Sequence, residues 1–545
     1  MKQLFYHTQV ITMEEDEQGQ IKTAEAVLTE NGKILEVGEE KYLRVLAGDD
    51  CEQIDCAGKT LLPAFIDSHS HITALAQSLG LCDLSGADSF EEIRLRMIKY
   101  AGKNPLHDGQ WLVGFGYDHN DLKEHIHPDR RFLDALAEEI LQQDRRYFPG
   151  NEKKEIFLKL SHASGHMGVM SSAALEFLSI DSKTPNPSGG SIGHEDNGEP
   201  NGYLEENAFI QTTEKIPQPS KEELMQQLKQ AQEIYHSYGI TTIQDGLTKQ
   251  GQWELLKEFA QNGGLKSDVV CYADLKENRS LISQNPEYAQ GYRDHLRLGG
   301  YKIFLDGSPQ GKTAWLTEPY QGEQEYCGYP IYTDEQAEEL VEEAVQDNRQ
   351  LLAHCNGDAA AEQYLNACCK VGDTAKIRPV MIHAQLLRPD QLPKVKRAGM
   401  IPSYFVAHTW FWGDIHLKNL GEKRAKKISP LRSTADMGIV YTLHQDTPVI
   451  PPDMMRTIWC AVNRKSKQGC SMGQEERISV QQALKGVTIN AAYQYFEEGE
   501  KGSIKKGKAA DFVLLSENPL TVSSDRICEV RVLATFYRGE KVYSC

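Results

Sequence analysis

From residue 239 onward the chain alternates between two textures. Short apolar, β-branched runs give way to stretches whose apolar residues recur every three or four positions. The short runs are GITTIQDG (239–246), SDVVCYADL (267–275), YKIFLDGS (301–308), QLLAHCNGDA (350–359), RPVMIHAQLL (378–387), MIPSYFVAH (400–408) and GIVYTLHQDTPV (438–449). An eighth, TLLPAFI (60–66), stands far upstream. Runs of this kind read as buried strands, and stretches such as DEQAEELVEEAVQD (334–347) read as helices between them. Eight strand-then-helix units predict an α/β fold, a (β/α)8 TIM-like barrel.

Both ends of the chain have a different rhythm. LFYHTQVITM and TAEAVLTENGKILEVG at the start, and GSIKKGKAADFVLLSE and EVRVLATFYRGEKVYSC at the end, alternate with Gly-centred turns. They predict a small β-sandwich domain built from both termini, 1–57 and 500–545, with the barrel (58–73 and 236–499) inserted between them. The gap after the first strand is too long for a loop, so 74–235 reads as an inserted subdomain covering the active site. Within it, WLVGFGYD and EIFLKLSHASG read as strands, SFEEIRLRMIKYA and KEELMQQLKQAQEIYHSYG as helices, and TPNPSGGSIGHEDNGEPNG as a loop.

Composition narrows the function classes. The 545 residues are 40% hydrophobic and 25% charged, as in a soluble globular enzyme, and the formal net charge is −19. That balance argues against nucleic acid or an anionic membrane as partner. The opening residues hold no apolar core of signal-peptide length, and no run approaches a membrane span. The twelve scattered cysteines contain no Cys-x-x-Cys, so they read as reduced thiols in a cytoplasmic protein.

Candidate chemistry sits at the strand ends. In the segment FIDSHSH, His69 and His71 are two apart, and residues i and i+2 of a strand share a face. Lys302 lies on the fourth strand, His354 ends the fifth, His383 the sixth and Asp446 the eighth. Taken singly, each has an ordinary explanation: a solvated His-x-His, a core histidine, a surface lysine, a helix-capping aspartate. A closed parallel barrel makes them neighbours at one mouth, where imidazoles and a carboxylate suit Zn²⁺ or a similar divalent ion. Trp410, Phe411 and Trp412, in the loop after the seventh strand, suggest an aromatic pocket lining.

The order His-x-His, Lys, His, His, Asp resembles the metal-dependent amidohydrolase superfamily. More closely, the chain resembles its YtcJ-like branch (amidohydrolase family 3), which includes N-substituted formamide deformylases. LLPAFIDSHSH, GYDHN, SGHMGVMSSAALE, NGYLEENA, YKIFLDGSPQGKTAWLTEPY, LLAHCNGDAA, VMIHAQLL and LHQDTPV carry the resemblance across nearly the whole chain. Three places depart from the branch pattern: Ala64 for Gly, Pro309 to Lys312 for Leu-Gly-Ser-Arg, and His444-Gln445 for Gly-Ser.

The resemblance implies one or two zinc ions. His69, His71 and Asp446 would bind the first, and His354 and His383 a second or the same one. Lys302, carboxylated by CO₂, would bridge them, since an ammonium cannot ligate a cation. Asp446 would also be the general base, and His166, Glu206 and Asp118 of the insertion are candidate substrate contacts beside Trp410 and Trp412. The implied activity is hydrolysis of a small-molecule amide, such as an N-formyl or N-acyl amine, with a homodimer allowed as the assembly. The alternatives are a deaminase or cyclic-amide hydrolase on the same scaffold, or a catalytically inactive regulatory protein.

Overall fold

The computed structural model describes residues 2–102, 105–148, 154–162, 166–217 and 219–545. The chain divides into two compact units, Met1–Leu75 with Leu228–Cys545, and Ala76–Gln227.

In the larger unit, eight strands pair in sequence order, all parallel: Phe65–Ile66, Ile240–Thr248, Asp268–Asp274, Leu296–Phe304, Gln350–Cys355, Val380–His383, Ile401–Tyr404 and Thr442–Leu443. This is the TIM-like sheet that the apolar runs predict, and each run contributes one strand. The two edge strands meet beyond their ends. Ser68 Oγ donates to the Leu443 carbonyl (3.1 Å), Asp446 N–H to the His69 carbonyl (3.2 Å) and His71 N–H to the Thr447 carbonyl (2.8 Å). Ile66, Val270, Tyr272, Leu352, Val380, Ile382 and Ile401 pack with Tyr495 in one buried cluster. Helices such as Asp334–Gln346 fill the connections. That helix opens on a Thr333–Gln336 capping box and buries Ala337, Val341 and Ala344, the face its periodicity foretells.

The run at 60–66 does not form one strand. Residues through Pro63 end the long strand Glu52–Pro63, where Thr60 pairs with Gln9 on one side and Leu515 on the other. Only Phe65–Ile66 belongs to the parallel sheet. An unbroken apolar run shows that a segment is buried, not which sheet buries it.

Segments from both termini form an eight-stranded mixed sheet. Its hairpin Ala26–Glu30/Lys33–Gly38 turns on Asn31 (φ 51°) and Gly32 (φ 77°), the paired left-handed residues that a two-residue turn requires. Phe5 stands edge-on to Phe512 (5.0 Å) and Phe536 (5.1 Å), tying the N-terminal strand to the C-terminal ones.

A buried ion pair joins this sheet to the barrel. Lys501 Nζ donates to Asp268 Oδ2 (2.7 Å), and Tyr537 Oη donates to Asp268 Oδ1 (2.7 Å). Burial opposes the charge on Asp268, but Lys501, His295 and Tyr537 hold its pKa below the ordinary carboxylate range. A depressed folded pKa stabilises the protein above the unfolded value of about 3.9 and ceases to do so as pH falls through the folded value. Asp268→Ala is expected to cost about 1–3 kcal/mol at neutral pH, because the buried Tyr537 hydroxyl loses its acceptor and Lys501 is left with Glu497 Oε2 (2.8 Å) as its one carboxylate. Denaturant unfolding at pH 7 and pH 3 checks this: the gap between wild type and variant narrows at the lower pH.

The Ala76–Gln227 unit has its own six-stranded sheet, ordered Gly190–His194, Pro200–Glu206, Met167–Met170, Ile156–His162, Gln110–Tyr117 and Cys82–Asp83. The last three are parallel and the others antiparallel. Helices Phe90–Ala101 and Arg130–Tyr147 bury Ile93, Met97, Leu133, Leu136 and Ile140 against Leu112, Leu158 and Leu160. The stretch 184–202, expected to be a loop, contains half of an antiparallel hairpin, with Ile192 opposite Leu204. Its glycines and asparagines hide the alternation that would have marked a strand. Ser164 and Gly165 of the SGHMG segment lie outside the described residues. Among the described residues, no helix is long and apolar enough to cross a membrane, and all twelve cysteines are free.

Candidate metal centre

His69 and His71 lie just beyond the first strand, not within it. His71 makes a single antiparallel bridge to Asp245. Their imidazoles nevertheless face one region, with ring centroids 5.0 Å apart. Asp446, three residues past the last strand, arrives from the opposite edge. His69 Nε2 is 3.5 Å and His71 Nε2 3.3 Å from Asp446 Oδ1, and the three ligand atoms all lie within 4.8 Å of one another.

Tetrahedral zinc, with bonds of about 2.0–2.2 Å, sets its ligand atoms about 3.3–3.6 Å apart, so both measured edges fit. Asp446 Oδ1 is buried and accepts no hydrogen bond, which leaves an anionic oxygen pointing at two imidazoles. Burial, with Lys302, His71 and His444 nearby, keeps the pKa of His69 well below its ordinary value, so its ring is neutral and has a lone pair to give. Burial disfavours the Asp446 carboxylate, but His71, His444 and Lys302 hold its pKa below the usual range. The residues present suit a divalent ion.

The sequence-predicted residues divide around this point. Lys302, 1% exposed, brings Nζ to 3.3 Å from His69 Nε2. Burial takes its pKa down to about 7, so a neutral amine is available. His383 Nε2 stands 3.9 Å from Asp446 Oδ2, and the His354 ring is 4.6 Å from that of His383. His383 (φ 70°) and Asp446 (φ 56°) are non-glycine residues in left-handed backbone, each costing about 1–3 kcal/mol. Such cost concentrates where a side chain must be aimed.

Gln244 and Asp306, which the sequence reading did not single out, and His444, which it marked only as a departure from the branch pattern, hold the others in place. Gln244 donates through Nε2 to the Ser68 carbonyl (2.9 Å), which leaves Oε1 to accept from His69 Nδ1 at 2.6 Å. That fixes the tautomer and frees Nε2. Asp306 accepts from the backbone of Trp315, Asn356 and Gly357 and lies 3.2 Å from His354 Nδ1. His444 spans from Ser403 Oγ (2.8 Å) to His383 Nδ1 (3.2 Å). An acid just past a strand end, as in FLDG, was the available signal for Asp306.

A sequence profile described as "Amidohydrolase family" matches residues 52–146 and 154–543. The chain belongs to the amidohydrolase family. It is 27% identical over 527 residues to YtcJ of Bacillus subtilis (strain 168), covering 95% of this chain and 96% of that one. It is 26% identical over 536 residues to an N-substituted formamide deformylase of Arthrobacter pascens, covering 95% and 94%. An uncharacterized metal-dependent hydrolase from Pyrococcus furiosus shares the fold with a TM-score of 0.75, at 24% identity over 96% of this chain and 100% of that one.

Within this amidohydrolase the two candidate tryptophans have different surroundings. Trp410 stands edge-on to Trp459 (5.1 Å), with Arg456 above its ring. Trp412 packs on His408 (4.5 Å) and on Phe405 (5.9 Å), which itself touches His383 and His444. The candidates of the insertion belong to the other compact unit. His166 Nδ1 pairs with Glu206 Oε2 at 3.1 Å, both well exposed, while Asp118 meets His119 and His162.

Gly246 passes so near His69 that an added Cβ would stand 2.5 Å from Cε1. Gly246→Ala must push the ring aside, and a displacement of about 1 Å at a catalytic group costs about a hundredfold. Its expected result is a loss of that size in kcat/KM together with a lower Tm, since overpacking a buried site costs about 1–3 kcal/mol.

Proposed function

We propose that this amidohydrolase cleaves a non-peptide C–N bond of a small amide, an N-formyl or N-acyl amine, using a divalent ion held by His69, His71 and Asp446. The observation that carries the reading is the ligand triangle around the unpartnered Asp446 oxygen. The likeness to a formamide deformylase supports the substrate class. A zinc ion bound there would act as a Lewis acid toward the carbonyl and lower the pKa of water toward about 7.

The chain's own groups do the rest. Asp446 takes the proton of the attacking water and passes it to the leaving nitrogen. His69, fixed by Gln244, and His71 hold their lone pairs on one point. His383 and His354 extend the cradle for a second ion. Lys302 in its neutral form adds to CO₂ through Nζ with loss of a proton, and the carbamate supplies the anionic ligand that an ammonium cannot.

Trp412, backed by the buried Phe405, gives the acyl or amine substituent an apolar surface. Trp412→Ala is expected to lower kcat/KM for a benzyl-type formamide about tenfold more than for a small aliphatic one, whereas Trp410→Ala treats both alike. Equal losses on the two substrates for Trp412→Ala would remove the aromatic contact. The substrate class itself is tested by amine release from a panel of N-formyl amines, N-acyl amines and cyclic amides at saturating zinc. Turnover confined to the cyclic amides would replace the acyclic reading.

A further inference from the structure

The Ala76–Gln227 unit contains a second gathering of ligand-type side chains, of which only Asp118 has been given a role above, as a candidate substrate contact. Strands Gln110–Tyr117 and Ile156–His162 run parallel, with Tyr117 opposite His162, so the residues just past the first strand meet the end of the second. Asp118 and His119 come directly after Tyr117, and the chain thereby sets them beside His162. His162 is 7% exposed, whereas Asp118 and His119 are about one-third open at the side chain.

Three atoms face one another there. His119 Nδ1 is 3.4 Å from His162 Nε2, His162 Nε2 is 3.4 Å from Asp118 Oδ1, and His119 Nδ1 is 3.7 Å from the same oxygen. Good N–H···O hydrogen bonds fall at about 2.7–3.2 Å, so all three edges are long for that purpose. They are close to the edge of about 3.3–3.6 Å that tetrahedral zinc sets between its ligands. The frame around them is held. Asn120 donates to Asp118 Oδ1 through its backbone N–H and its Nδ2, both at 2.9 Å. His127 stacks on the His119 ring at 4.1 Å, with its own Nδ1 at 3.0 Å from Tyr117 Oη. That bond and the stacking leave His127 as a support for His119, not a ligand.

We propose that Asp118, His119 and His162 form a second divalent-cation site, suited to zinc, separate from the barrel centre. Two imidazoles and one carboxylate favour Zn²⁺ over the oxygen-seeking Mg²⁺ and Ca²⁺, and three protein ligands leave a fourth position for water. The ion would clasp the turn at 118–120 to the neighbouring strand end.

The test is zinc stoichiometry and affinity on the full chain, by elemental analysis and by competition with a chromophoric chelator. The variants are Asp118→Asn, His119→Gln and His162→Ala, each beside wild type and His71→Ala. The expected result is a class of bound zinc that survives in His71→Ala and weakens at least tenfold in Asp118→Asn and in His119→Gln. The barrel zinc of both variants, and the amide turnover of His119→Gln at saturating zinc, stay at wild-type levels. His119→Gln keeps a polar group of similar length, so it reports even if His162→Ala fails to fold. Zinc binding that is unchanged in Asp118→Asn and His119→Gln, or that vanishes entirely in His71→Ala, overturns the second site. The barrel reading fails separately, by zinc retained at the barrel in His71→Ala.

Discussion

Asp446→Asn is expected to lower kcat by about a thousandfold while the protein stays folded and keeps much of its metal. General acid–base catalysis by a positioned group is worth about 10²–10⁴-fold. Asn retains a carbonyl oxygen that can face a cation, but it cannot take the proton of the attacking water. Asp446 also owes its ionised state to its neighbours: burial opposes the charge, and His71, His444 and Lys302 sustain it. Removing the charge also gives up the stability that the lowered pKa represents, so a modest fall in Tm accompanies the loss of turnover. Steady-state kinetics with metal analysis on the same sample separates the two roles. Full turnover in the Asn variant would assign the proton to another group; full loss of metal would make Asp446 a ligand first.

His69→Ala with His71→Ala is expected to bring amide turnover to background and to remove the ion held by the His69–His71–Asp446 triangle. Two of the three corners of the triangle disappear, and Asp446 alone remains of it. The single variants differ in an instructive way. His71 is partly exposed and faces Asp446, so its loss tests the ion with little effect on packing. His69 is buried and bonded to Gln244, so its loss also leaves an acceptor unpaired, at about 1–3 kcal/mol. Equal metal loss with unequal Tm is the expected pattern, read by elemental analysis and thermal unfolding.

A linear pattern carries the barrel and hides much of its centre. The eight barrel strands are apolar runs separated by helical spacing, so their existence and order could be read directly. The run at 60–66 misled because burial looks alike in two sheets, and Pro63 ends a strand of the terminal sheet instead of lengthening one in the barrel. His69 and His71 converge without the strand pairing that their spacing suggested. The irregular segment after Ile66 and its links to Thr447 and Leu443 aim them instead. The left-handed backbone at His383 and Asp446 leaves no mark in composition.

Gln244, Asp306 and His444 are ordinary polar residues in sequence and become orienting groups only when the strands close. The Asp118–His119–His162 group depends on the register that puts Tyr117 opposite His162, across more than forty positions of chain. No motif encodes that register. It comes from the buried alternation of Leu112, Leu158 and Leu160, which fixes one strand against the other.

The most direct test of the barrel centre is amine release from an N-formyl amine as metal-free protein is titrated with zinc, for wild type and His71→Ala side by side. Release by wild type should rise with zinc until the barrel centre is filled, and should stay at background in His71→Ala at every zinc concentration. Release that is independent of zinc, or equal in the two proteins, would contradict a metal-dependent hydrolase built on His69, His71 and Asp446.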